Sequence, residues 1–210
     1  MKFRTAKGCG RIVVNAIRQM IYAQRCTLRP IAIKVGTSSN VVSAGDLIVE
    51  DMIKITADLS ELHYEFDTPR KHENMLIRCD YECHGSLKVS DLQKDNVKVL
   101  DSDSLDKELI HSTDGDIFTV SIYFRNAPGV YTHQENRAYL EEQSEEQSVI
   151  SSYEVLSTRH TDVLSVTSEV EILADHDSVT LNVEVYTSED GDSVIRGACK
   201  AMISLLTNLS

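Results

Sequence analysis

At 210 residues with 41% hydrophobic composition and three prolines, the chain can bury a real core in one or two domains and is neither fibrous nor disordered. Its 33 acidic against 21 basic residues give a net charge of -12, so its average field repels phosphate, and no Lys/Arg run with interleaved aromatics offers a local remedy. No tract approaches the roughly 18 apolar residues of a membrane span and the start does not resemble a secretory signal, so the expectation is a soluble, intracellular protein without direct DNA binding or membrane attachment.

Five cysteines, Cys9, Cys26, Cys79, Cys83 and Cys199, are odd in number and unevenly spaced, which fits reduced thiols better than a disulfide framework. Lys2 to Thr5 is too short to assign from its pattern, with an edge strand leading into the Gly8/Gly10 turn as one option. From Arg11 to Gln24 the apolar residues Ile12, Val13, Ala16, Ile17, Met20 and Ile21 fall at the three-and-four spacing of one helix face. At Thr27 the period changes to that of a strand running to Val35, where Pro30 suits an edge strand or a strand start.

Leu47 to Leu62 has helical spacing, with Gly45 or Asp46 as its start. A β-rich stretch follows: His63 to Phe66, Met75 to Tyr81 beyond a polar loop at Pro69, Val97 to Leu100, Leu109-Ile110 and the alternating Ile117 to Phe124. Glu141 to Ser148 is polar and acidic and reads as a solvated loop. Val149 to Leu156 and Leu164 to Leu173 are strand-like, and Val179 to Thr187 alternates almost strictly. After a turn at Ser188 to Asp192, a closing helix carries Val194, Ile195, Ala198, Cys199, Met202, Leu205 and Leu206 on an apolar face wider than one small core needs.

The chemistry-bearing constellations are sparse. Cys79, Cys83 and His84 lack the fourth ligand of a zinc site, and period-two alternation puts both thiols on one face. Asp101, Asp103 and Asp106 lack the glycine of a calcium loop, and Asp114-Gly115-Asp116 reads as a hairpin turn. His160-Thr161-Asp162 and Asp175-His176-Asp177 offer acid/base pairs, with no nucleophile elbow or phosphate-binding loop to accompany them. No catalytic residue, cofactor or metal is expected, so enzymatic activity of the chain itself is left uncertain.

Several segments carry a resemblance. Gly8-Cys9-Gly10 followed by a helix with Asn15-Ala16-Ile17-Arg18-Gln19, the segment Gly45 to Leu62, the run Gly85-Ser86-Leu87-Lys88-Val89-Ser90-Asp91-Leu92, and the closing strand from Asp177 to Thr187 with its helix are similar to the alpha subunit of bacterial-type multisubunit DNA-directed RNA polymerase. They are more distantly similar to the third-largest subunit of archaeal and eukaryotic polymerases. Ala127 to Tyr131 with Glu135 to Arg137 resembles a basic loop of that family, with most of the basic residues replaced.

The resemblance implies an α+β fold: a discontinuous dimerisation domain of two helices plus antiparallel strands, residues 1–26 and 154–210, with an inserted β-rich domain, residues 27–153. It implies a non-catalytic assembly scaffold that dimerises, as homodimer or heterodimer with a second alpha-type subunit, and seats beta-like and beta-prime-like subunits for transcription. Ile12, Val13, Ile17 and Met20 would face Val194, Ile195, Ala198, Met202 and Leu205 across the dimer, and Arg18, Gln19 and Tyr22 would meet a large subunit. Gln19 replaces an arginine of the family's motif. The sequence stops after the last helix, which implies that the family's DNA-binding C-terminal domain is absent and suggests a viral, phage or organellar polymerase. The alternative is an unrelated oligomeric β-rich binding module, and a distant third is a small hydrolase using His160 and Asp162.

Overall fold

The structure, a computed structural model, describes residues 1–36, 48–66, 75–112, 115–143, 152–187 and 189–208. It is a mixed α+β fold with antiparallel sheets, and the chain separates into two compact units, Met1–Arg25 with Thr161–Ser210, and Cys26–His160.

The chain opens with β1 (Lys2–Ala6), turns at Gly8 with φ +78° and enters α1 (Gly10–Gln24). Glycine, with no Cβ, takes that backbone region freely. Val14, Ile17 and Ile21 recur at helical spacing and are buried.

The second unit starts with β2 (Thr27–Gly36). This strand lies inside an eight-stranded sheet, not at its edge, yet it carries Pro30. The register with its neighbour shifts between Pro30 and Ala32, and a register shift is one place where a sheet tolerates a residue with no N–H to donate. Next comes α2 (Met52–Glu61), which begins five residues later than the apolar spacing predicts: the Asp51 carboxylate accepts from Ile53 N–H at 2.9 Å and caps it. Ile48 before it bridges to Ser112 instead of extending the helix, and the expected starts Gly45 and Asp46, like the Pro69 loop, lie outside the described residues.

The strands β3 (Tyr64–Phe66), β4 (Met75–His84), β5 (Ser86–Lys88), β6 (Val97–Val99), β7 (Glu108–His111) and β8 (Ile117–Ala127) complete most of that sheet in the order β6-β3-β2-β8-β4-β5-β7. One face buries Phe118, Phe124, Ile33, Leu87 and Leu92 with Ile55 and Leu59 of α2. Short β9 (Gly129–Tyr131) leads to α3 (His133–Gln143), where the resemblance implies a loop. A capping box starts this helix: Glu135 accepts from Thr132 N–H and Oγ1, both at 2.8 Å, and Thr132 Oγ1 accepts from Glu135 N–H. Its Leu140 packs with Ile31, Tyr153 and Val155 on the second face of the sheet.

Then β10 (Glu154–Val155) pairs with β2, and β11 (Thr158–His160) with β9. These pairings put residues 154–160, which the sequence reading gives to the discontinuous domain, in the larger unit. The chain then returns to the first unit as β12 (Val163–Ile172), β13 (His176–Val185) and α4 (Gly191–Asn208). Here the sheet order is β1-β13-β12, and Val179, Leu181, Val194, Ile195 and Ala198 share a core with Val14, Ile17 and Ile21.

Candidate functional site

In the first unit, α1 and α4 lie together over the three-stranded sheet, and glycines and buried acids set their positions. Gly10 donates its N–H to Asp177 at 2.9 Å, and a Cβ there would meet Val170 at 2.7 Å. A carboxylate at a helix N-terminus satisfies an orphan donor and complements the helix dipole. Gly191 starts α4 so close to β13 that a Cβ would lie 2.2 Å from the Val183 carbonyl oxygen. At the other end of α1, Arg25 forms a two-pronged ion pair with buried Asp162 and reaches Glu189 at 2.8 Å. Burial works against the Arg25 charge, but the hydrogen bonds it donates to both acids outweigh this and hold the guanidinium protonated more firmly than in free arginine.

The sequence-predicted interface residues divide into two layers. Ile17, Val194, Ile195 and Ala198 are at most 5% exposed and belong to the unit's own core. Val13, Met20 and Met202 are half-buried at its rim. Ile12 is 69% exposed and Leu205 54%, beside Ile203 at 60% and Leu206 at 62%. Towards its far end α4 thus carries apolar side chains that no part of the unit covers. Arg18 and Gln19 are exposed, while Tyr22, one turn beyond Arg18, packs partly into the core.

The second unit contains a buried polar chain that the sequence reading does not anticipate. His160 is 0% exposed. Its Nδ1 lies 2.8 Å from the Thr27 carbonyl oxygen, which can only accept, so Nδ1 carries the proton and Nε2 accepts from Thr158 Oγ1 at 3.0 Å. Thr158 in turn accepts from Asn136 Nδ2 at 2.9 Å, and Asn136 accepts from Arg125 at 3.3 Å. The Arg125 guanidinium is stacked between the Tyr131 and Tyr139 rings at 4.0 and 3.9 Å. Burial, with the nearby Arg125 and Arg29 charges, overrides the Thr27 hydrogen bond and pulls the His160 pKa down to about 4. An imidazole closed to solvent with both nitrogens engaged is a structural group, and Asp162 is committed to Arg25 and Thr187. The one signal in the sequence was Thr132-x-x-Glu135, which starts the helix that brings Asn136 in.

The other candidates resolve similarly. Cys79 and Cys83 point into the core with Tyr81 between them, and burial raises both thiol pKa values, Cys83 to about 11; His84 points out to solvent. Asp101 accepts from the His63 N–H at 2.5 Å, Asp175 bonds exposed to His176 at 2.6 Å, and Asp114 lies outside the described residues. His111 is held by two carboxylates, Glu50 at Nδ1 and Glu108 at Nε2, both at 2.6 Å, and these hydrogen bonds raise its pKa. Among the described residues no group of three or more His, Cys, Asp or Glu side chains is placed to hold a metal ion, and no helix is long and apolar enough to cross a membrane.

No protein-family model matches the chain. It is 17% identical over 210 residues to the DNA-directed RNA polymerase subunit alpha of Mycoplasmopsis synoviae (strain 53), in an alignment that covers 94% of this chain. The chain spans 63% of that protein's length.

Proposed function

We propose that the chain is a non-catalytic assembly scaffold of a multisubunit DNA-directed RNA polymerase. The discontinuous unit is its dimerisation domain, and the inserted β-rich unit helps to seat beta-like and beta-prime-like catalytic subunits. The observation that carries this reading is the uncovered apolar end of the α1/α4 pair, and the similarity to a polymerase alpha subunit along nearly the whole chain supports it. An apolar patch of this kind on a helix pair is what an obligate subunit interface leaves when its partner is removed.

In this reading the interface has an outer layer of Ile12, Val13, Met20, Met202 and Leu205, joined by Ile203 and Leu206. Ile17, Val194, Ile195 and Ala198 form the inner layer that holds the helices in place. Arg18 and Gln19 are free to meet a large subunit, with Tyr22 bracing them from the core side.

Sedimentation of the purified chain tests the dimer. Wild type sediments as a dimer, and Leu205→Asp weakens it by at least about 100-fold, since burial of a leucine contributes roughly 1.5–3 kcal/mol and a carboxylate resists desolvation. Circular dichroism stays unchanged because Leu205 lies outside the unit's core. A monomeric wild type, or a Leu205→Asp variant as dimeric as wild type, removes the proposed interface.

A further inference from the structure

Strand β4 pairs with β8 along its whole length, from Met75↔Asn126 to His84↔Ile117, but on its other side β5 meets it only at His84↔Ser86. The direction of its backbone groups follows from the ladder, because the N–H and C=O of one residue in an antiparallel pair point to the same side and the side alternates along the strand. Leu156 N–H bonds the Ile31 carbonyl, so odd residues of β2 beyond the register shift face β10 and even ones face β8. Carried through Ile33↔Ile122 and Cys79↔Ile122, the alternation makes odd residues of β4 bond β8 and turns Leu76, Arg78, Asp80 and Glu82 to the open side. An independent contact agrees: Lys94 Nζ donates to the outward Asp80 carbonyl at 2.6 Å. Below that clip, among the described residues, no strand lies beside Leu76 and Arg78.

We infer that this open edge, Leu76 to Arg78, receives an extended acidic segment of another polypeptide, which adds a strand to the sheet and sets a carboxylate against Arg78. Alternating backbone donors and acceptors are complemented by another backbone, which neither lipid nor nucleic acid supplies at that spacing. Half-buried Met75, Leu76 and Ile77 flank the edge with apolar surface. Arg78 is exposed and engages Asp80 through Nε alone at 2.9 Å, which leaves the two terminal nitrogens of its fork to meet a carboxylate. A second copy fits poorly: each copy's Lys94 closes the edge from Asp80 onwards, so self-pairing spans only residues 76–78 and sets Arg78 against another Arg78 or against Leu76. The partner's identity rests on the scaffold reading, which makes it a large polymerase subunit.

Amide hydrogen exchange on tagged chain, alone and in the assembly recovered from its native cells, tests the inference. In the assembly the Leu76 and Arg78 amides exchange on the order of 100-fold more slowly, while those of Ile77 and Cys79, already bonded to β8, change little. Arg78→Pro removes an outward N–H and spares the β8 ladder. It keeps its circular dichroism and its dimer but binds the large chain at least about 10-fold more weakly, and Arg78→Ala loses less. Equal exchange of Leu76 and Arg78 in both states, in an assembly that contains large chains, overturns the inference and leaves the scaffold reading standing. Recovery of no large chain overturns both.

Discussion

Gly191 shows how a single residue fixes the position of a helix. With the Val183 carbonyl oxygen 2.2 Å from where its Cβ would be, Gly191→Ala must push α4 off β13, and a loss of roughly 1–3 kcal/mol in urea denaturation is expected. Two histidines give the protein opposite pH slopes. His160 has a folded pKa of about 4, below its ordinary value, so its neutral form stabilises the fold above about pH 6.5 and that contribution is lost as pH falls through 4. The full loss is on the order of 3 kcal/mol, and a His160→Gln variant shows a flatter stability profile between those pH values. His111 is the reverse case. Its pKa is raised by Glu50 and Glu108, so its contribution is complete below about pH 6.5 and is lost as pH rises through the folded value. His111→Gln should flatten that limb of the profile and, because the His111 side chain also helps to hold the Glu50 pKa down, weaken the acid limb as well.

Among the elements, those with strong periodicity were legible and those set by local capping were not. The alternation in β13 and the three-and-four spacing of α1 and α4 reflect burial of one face, which a sequence records directly. For α2, apolar spacing continued through Leu47 to Asp51, but the Asp51 cap and the Ile48↔Ser112 bridge decide where the helix starts. The polar composition of α3 hid it, although Thr132 and Glu135 carry the capping signal. Thr132→Ala is expected to cost about 1 kcal/mol in thermal or urea unfolding, with loss of protection in α3 before the sheet. Pro30 points to an edge strand or a strand start, because the sequence does not display a register shift that forms only when β2 meets β8.

At the scale of the whole molecule, the candidate interface was half legible. Helical spacing found the apolar faces of α1 and α4, but it could not separate Ile17 and Ile195, which the chain buries itself, from Ile12 and Leu205, which it leaves uncovered. That distinction decides how the account is tested. Ile17→Asp would place a carboxylate in the core and unfold the unit, whereas Leu205→Asp changes only the uncovered layer. The charge distribution bears on partners as well: the first 25 residues hold six basic and no acidic side chains in a chain of net charge -12. Arg11 and Arg18 on the exposed side of α1 therefore favour an acidic protein surface. The most direct measurement is affinity purification of tagged wild type and Leu205→Asp from the native cells, with mass spectrometry of what accompanies each. The account predicts beta-like and beta-prime-like chains with wild type and their loss from the variant; a wild type that brings down only itself would contradict it.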